Sequence, residues 1–256
     1  MSEIERENVP TVSVIMPAFN AQPTLQASAE SVLAQSFRSL ELIIVDDASL
    51  DETRDVANQL LENDDRVVFR RHVENQGAAV ARNSALALAK GRYIAFLDAD
   101  DLWLPEKVTR QIAFMEETDA AFSFTGFWRE NAKSATPGRR EVKIPARVDY
   151  KTLLRGNVIG CLTAMYDRSK LGDCPMPNLR MRQDFALWLE ITSRTGLAFG
   201  LTEPLAVHRE RPGSLASDKI KASVATWRLY HEHLGLGRFR SSYFLINHLL
   251  RRVRRG

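Results

Sequence analysis

Cysteine is scarce: Cys161 and Cys174 are the two in 256 residues, too few for a disulfide framework and not at a metal-site spacing. They read as small buried or half-buried residues in a reducing compartment. Long apolar runs are missing, since no uninterrupted stretch approaches the ~18 residues that a bilayer span needs. Met1 to Asn8 is polar and charged, so no signal peptide is expected. An excess of one charge is missing as well: 35 basic residues against 32 acidic leave +3, too little for a general nucleic-acid field. Together these absences predict a cytoplasmic protein with no nucleic-acid partner, at most peripheral on the inner face of a membrane. Two shortages are local. The turn Pro17-Ala18-Phe19-Asn20-Ala21-Gln22 has no glycine, and Arg238 to Arg255 has six arginines and no acid.

What is present is an ordinary soluble composition, 45% hydrophobic and 26% charged, in a chain long enough for one large domain or one and a half. The first half alternates two periodicities. Strands are predicted at Thr11–Met16 (closed by Pro17), Leu40–Val45, Val67–Phe69 and Tyr93–Leu97. Helices are predicted at Gln22–Gln35, Glu52–Leu61, Ala78–Lys90 (with Gly91 as its C-cap) and Pro105–Glu117. Such alternation argues for an α/β fold, a mostly parallel central sheet flanked by helices on both faces. In the second half, strands are expected at Ala120–Phe127, Asn157–Tyr166 and Pro204–His208, and helices at Gln183–Ser193 and from Ser217 to His233. Arg129–Arg147 reads as a polar loop, and Phe239–Val253 as a final amphipathic helix. The division is a tail at 1–10, a main domain at 11–216 with halves 11–117 and 118–216, and a C-terminal helical extension at 217–256.

Acidic groups end two of these strands: Asp46-Asp47, and Asp98-Ala99-Asp100-Asp101 after Tyr93-Ile94-Ala95-Phe96-Leu97. Three carboxylates in one turn disfavour one another's ionisation unless a cation offsets them. A hard Mg²⁺ or Mn²⁺ does so, preferring carboxylate oxygen and bridging to phosphate; the plainer alternative is an acidic helix-capping loop. The carboxyl ends of parallel strands converge on one edge, where open α/β sheets bind ligands. Strand-end acids can accept from a ribose or a base, Phe19 can stack on a base, and Arg82 can reach a base or phosphate.

Five segments in order resemble the family 2 glycosyltransferases of the GT-A fold. They are Val12 to Asn20, Ser31 to Phe37, Glu41 to Ser49, Asn75 to Asn83, and Asp98-Ala99-Asp100-Asp101 with Leu102-Trp103-Leu104-Pro105-Glu106-Lys107. The resemblance covers residues 11 to about 117 and implies an inverting sugar transfer from a nucleotide-sugar, most often a UDP-sugar. It implies donor-binding roles for Pro17, Ala18 and Phe19 around the base, for Asp47 as the uracil-contacting acid, and for Arg82. Asp98 and Ala99 fall at the ribose or sugar, and Asp100 at the metal ligand. In the second half, Gln183-Asp184-Phe185-Ala186-Leu187-Trp188-Leu189 resembles the family's segment carrying the catalytic base, which is Asp184 here; Gln183 stands where Glu is usual. His208 to Ser214 resembles its later Arg/His segment, so Arg209 and Arg211 are expected at the leaving diphosphate.

Other readings are weaker in the residues themselves. A dehydrogenase needs G-x-G-x-x-G after the first strand, and a nucleotidyltransferase a Gly- and Lys-bearing loop there. A haloacid-dehalogenase-like phosphatase carries its Asp-x-Asp after the first strand, not the fourth. A nucleotide-sugar-binding protein without transfer activity is the remaining alternative. The resemblance also implies a saccharide acceptor in bacterial surface polysaccharide synthesis. The last helix has two readings. Phe239, Tyr243, Ile246, Leu249, Leu250 and Val253 either pack on the domain, or enter an anionic membrane surface carrying a lipid-linked acceptor.

Overall fold

The computed structural model describes residues 9–131, 138–210 and 219–255. Its first half follows the predicted alternation: β1 (Val12–Ala18), α1 (Gln22–Leu33), β2 (Leu40–Asp46), α2 (Thr53–Asn63), β3 (Val67–Arg71), α3 (Ala78–Leu86) and β4 (Tyr93–Phe96). β3, β2, β1 and β4 lie side by side and all parallel. Side chains alternate across the pleat. Val12, Val14 and Met16 of β1 therefore join a core under α1 and α2, while Ile15 joins a second core under α3 on the other face.

The second half adds β5 (Leu102–Trp103), α4 (Lys107–Glu117), β6 (Phe122–Asn131), β7 (Arg139–Val142), β8 (Arg147–Asp149) and α5 (Tyr150–Leu154). A 3₁₀ turn at Cys161–Thr163, β9 (Met165–Asp167), α6 (Arg168–Leu171), α7 (Gln183–Thr195) and β10 (Leu197–Glu210) follow. The strand order is β3-β2-β1-β4-β9-β6-β10-β5, with β7 on β6 and β8 on β10. β9 is antiparallel to both β4 and β6, so the parallel region passes into a mixed one at the middle of the sheet. Trp188 of α7 is fully buried against Phe96 and Phe122, its ring 5.5 and 5.1 Å from theirs, which pins α7 beneath the junction.

Several boundaries differ from expectation. Pro17 does not close β1; the strand runs on to Ala18, parallel to β2, with Pro17 opposite Val45. α3 stops at Leu86 with Ala87 as its C-cap, so Gly91 caps nothing. Gly91 is needed for close approach: a Cβ there would lie 2.6 Å from the backbone nitrogen of Ser13, while its own N–H donates to Ser13 Oγ at 2.8 Å. Pro105 precedes α4 rather than opening it. The strand expected at Asn157–Tyr166 shrinks to Met165–Asp167. The polar stretch 129–147 contains the end of β6 and all of β7, with residues 132–137 outside those described.

After β10 come α8 (Lys219–Arg228), a π-helical turn at Leu229–His233, and α9 (Arg238–Arg255). The break between the main domain and these helices, at residues 216 and 217, is outside the described residues. Leu229 and Tyr230 enter the core beneath α7, and Phe244 and Leu245 pack on it. The packed reading of α9 named the wrong residues. The helix docks through Ser241, Phe244, Leu245 and His248, while Phe239, Tyr243, Ile246, Leu249 and Leu250 are exposed; the Val253 side chain is outside those described.

Gly91→Ala is expected to cost about 1–3 kcal/mol, because the new methyl meets backbone rather than a side chain that can move aside. Denaturant unfolding checks it; an unchanged midpoint would mean that β1 and the turn before β4 separate freely.

Candidate active site

The turns after β1, β2 and β4 open at one edge of the sheet, and the chain closes them with side chains rather than glycine. Asn20 and Ala48 take left-handed backbone, φ 48° and 60°, which costs about 1 kcal/mol or more in a residue other than glycine. Bonds between the two turns hold them so: Asn20 N–H donates to Ser49 Oγ at 2.9 Å, and Leu50 N–H to Asn20 Oδ1 at 2.9 Å. The hydrogen bond from Asp47 N–H to the Ala18 carbonyl, 2.8 Å, continues the zipper. Ala18 is buried and Pro17 half-buried, but Phe19 keeps 49% of its surface exposed, as a ring standing free at a cleft would.

Asp47 is almost fully buried. Its carboxylate faces His72 Nδ1 at 2.7 Å and accepts from the N–H groups of Gln76 at 3.0 Å and Gly77 at 2.7 Å. Gly77 has φ 91°, a conformation that favours glycine. A carboxylate has about four acceptor sites. Three are used inside the protein, so the expected uracil contact has at most one left to it. Asp47 anchors the loop that launches α3.

α3 carries Arg82, 6% exposed, into the middle of the cleft. Its guanidinium pairs with Asp98 at the end of β4. Burial works against the Arg82 charge, but Asp98 and, more weakly, Cys161 and Asp184 outweigh it and hold its pKa above the ordinary arginine value. Arg82 Nε is buried and has no hydrogen-bond partner among the described residues.

The acids after β4 point in different directions. Asp98 is half-buried on Arg82, and Ala99 is buried. Asp101 is 2% exposed, opposite His208 Nδ1 of β10 at 3.0 Å and accepting from Arg209 N–H at 3.0 Å. Burial raises the Asp101 pKa despite those two partners. Burial lowers that of His208, and the Asp101 carboxylate more than reverses it. Asp100 is half-buried, and its carbonyl accepts from Arg209 Nε at 2.6 Å. Arg209 also reaches Ser28 Oγ at 3.1 Å, so it is placed as a clasp on this loop. Arg211 is outside the described residues.

Asp184 enters from the other half, in the first turn of α7 and half-buried. Arg182 before it is left-handed at φ 68°, held through Nε to Thr226 Oγ1 of α8 at 3.0 Å. Burial raises the Asp184 pKa; Arg82, the Phe185 N–H and Arg182 pull it down, and Asp98 adds to the rise. Cys161 sits within electrostatic reach of the same group, its thiol pushed well up by burial. The structure thus brings Asp98, Arg82 and Asp184 into one electrostatic group, with Asp100 on the loop that Asp98 begins. His72 and Arg182 have no place in the sequence expectation, although His72 directly follows β3; Asp101 and His208 appear in it within the acidic run and the His208–Ser214 segment, with no role of their own.

Among the described residues no three His, Cys, Asp or Glu side chains form a ready metal shell. The cleft offers hard oxygen on Asp98 and Asp100. One or two carboxylates, completed by substrate phosphate and water, are an ordinary set for Mg²⁺ or Mn²⁺. The residues fit such an ion.

Fold and cleft together define the GT-A class of glycosyltransferase. S. aureus TarS 1–349 with UDP-GlcNAc matches with a TM-score of 0.70 at 19% identity, over 92% of this chain and 70% of that one. The mannosyltransferase PcManGT from Pyrobaculum calidifontis, in complex with GDP-Man and Mn²⁺, matches at 0.66 and 19%, over 92% and 70%. The profile of glycosyl transferase family 2 matches residues 13–172. TuaG of Bacillus subtilis (strain 168), a glycosyltransferase assigned to teichuronic acid biosynthesis, is 45% identical over 223 residues, 87% of this chain and 88% of TuaG. WfaP of Escherichia coli, a UDP-Glc:alpha-D-GlcNAc-diphosphoundecaprenol beta-1,3-glucosyltransferase, is 36% identical over 213 residues, 83% of this chain and 82% of WfaP. The chain belongs to glycosyl transferase family 2 and is a glycosyltransferase.

The neighbouring carboxylates Asp100 and Asp101 should separate in a stability measurement. Asp101→Ala leaves the Arg209 N–H and the His208 ring without the buried carboxylate they bond and is expected to cost about 1–3 kcal/mol. Asp100→Asn keeps the shape of a half-buried side chain and the backbone carbonyl that Arg209 Nε bonds, so it is expected to cost less. Equal losses in urea unfolding would contradict the division.

Proposed function

We propose that this glycosyltransferase moves a sugar, with inversion, from a UDP-sugar to a hydroxyl of a lipid-linked saccharide. We place the step in bacterial surface polysaccharide synthesis, on the cytoplasmic side of the membrane, with Mn²⁺ or Mg²⁺ as cofactor. The observation that carries this reading is a buried guanidinium, Arg82, shared by a donor-side acid, Asp98, and an acceptor-side acid, Asp184. Support for the substrates comes from the relatives: TarS is seen with UDP-GlcNAc, and WfaP acts on a diphosphoundecaprenol-linked GlcNAc.

In this reading Phe19 stacks on the base, with Pro17 and Ala18 walling it and Asp47 holding the loop beside it. Asp98 and Ala99 border the ribose and sugar. Asp100, with Asp98 nearby, would hold the divalent ion, which supplies positive charge to the departing diphosphate. Arg209 keeps that loop in register, and Arg211 is assigned to the diphosphate. Asp184 takes the proton from the acceptor hydroxyl as it attacks the anomeric carbon. No covalent intermediate is needed. Arg82 lets Asp184 be ionised in a half-buried place while burial keeps it more basic than an exposed carboxylate, the compromise that general-base catalysis favours.

Asp184→Asn should leave UDP affinity near wild type and lower turnover at least ~10²-fold, the lower range for losing a general base. Since the base must be deprotonated and its pKa is raised, the acid limb of wild-type turnover should lie above the ~3.9 of an ordinary aspartate. Retained transfer by the variant would remove Asp184 and turn attention to Glu190 or Asp173.

Asp100→Asn should abolish the Mn²⁺-dependent part of UDP binding while the protein stays folded. Calorimetric titrations showing equal UDP affinity for both proteins, with and without Mn²⁺, would exclude Asp100 as the ligand.

A further inference from the structure

α9 has two apolar faces, and the domain uses only one. At about 100° per residue, Ser241, Phe244, Leu245 and His248 fall within about 100° of arc, and these are the residues turned to the core. Phe239, Tyr243, Ile246 and Leu250 fall within about 60° on the opposite side. Their exposures are 94%, 54%, 56% and 54%. Arg238 and Arg240 are exposed at the start of the helix, and four of its last five residues are arginine, with no acid from 238 to 255. No helix among the described residues is long and apolar enough to cross a membrane.

We infer that the outer stripe of α9 is an in-plane anchor for an anionic lipid surface, with Phe239, Tyr243, Ile246 and Leu250 entering the headgroup boundary. Charge decides the occupant. A second copy would bring six more arginines against these six, whereas anionic headgroups neutralise them. The helix cannot leave the domain to do this, because its inner face is already seated: His248 lies 5.7 Å from the ring of Phe185, and Phe244 lies 5.9 Å from that of Tyr230. Phe185 follows Asp184 in the chain, so the lipid-facing stripe is about one helix diameter, ~10 Å, from the start of α7. A surface bound there brings a lipid-linked hydroxyl toward the cleft. That purpose rests on the proposed acceptor; the anchoring itself does not.

Flotation of the full chain with phosphatidylcholine vesicles, with and without phosphatidylglycerol, tests the anchor. Wild type should float with the anionic vesicles at low salt, and release at high salt. The variant Tyr243→Gln, Ile246→Gln, Leu250→Gln should lose at least ~10-fold in vesicle partitioning, with UDP affinity and the unfolding midpoint unchanged. Arg251→Gln with Arg252→Gln should weaken binding only to the anionic vesicles. No flotation of wild type at low salt, or equal partitioning of the stripe variant, overturns the inference, as does a dimer in light scattering that the stripe variant dissolves. UDP titration in the same samples reads the donor site separately: lipid binding without UDP binding would count against the proposed function and leave the anchor standing.

Discussion

Arg82 is the charge around which the two halves of this protein are arranged. A guanidinium this deeply buried costs several kcal/mol unless carboxylates repay it, and one comes from each half. Asp98 arrives on β4 from the parallel sheet, Asp184 on α7 from the mixed region. Arg82 itself is placed by α3, whose first turn is launched by a loop tied to Asp47. Its neighbour Asn83 exchanges two hydrogen bonds with the backbone of Met176, 2.9 and 2.8 Å, which fixes the segment leading to α7. The parallel and mixed regions thus meet at a single electrostatic group.

The same logic resolves the acidic run after β4. Asp98, Asp100 and Asp101 look prohibitive together in the sequence, and a metal ion is the obvious remedy. The structure supplies a different part of the answer first. Asp98 is offset by Arg82, and Asp101 by His208 and the Arg209 N–H. Asp100 lies between them, half-buried, with its backbone carbonyl held by the Arg209 clasp. A cation held here, as proposed, would meet an acidic run already partly offset, and one or two carboxylates with a diphosphate are a set that Mg²⁺ and Mn²⁺ accept readily.

The parallel half was legible because its strands are buried on both faces and its helices are amphipathic, so each announces its period. The errors have physical causes. Helix propensity carries α3 to Lys90 on paper, but the chain must turn back at Leu86, since Lys90 and Gly91 are held by Glu41 and Ser13 beneath the sheet. β7 is exposed and polar on an edge, so it shows no alternation and reads as loop. β10 extends well before Pro204 because the proline falls at a register shift, where a missing N–H is tolerated. In the site, strand-end acids were readable one by one. Their partners were not, because His72 and His208 meet them only through long-range packing.

Arg182 shows why the C-terminal helices matter to the chemistry. A left-handed arginine immediately before α7 is strained, and strain of about 1–2 kcal/mol persists only where the surroundings enforce it. Here they do: α8 receives the side chain at Thr226, and α9 closes over Phe185 through His248. The first turn of α7 is therefore aimed by the two helices that follow the transferase sheet. Residues 219–255 are then not an appendage with a separate task. Whatever seats the outer face of α9 also bears on the element that presents Asp184, so the proposed attachment and the proposed alignment of the base would be two consequences of one packing arrangement.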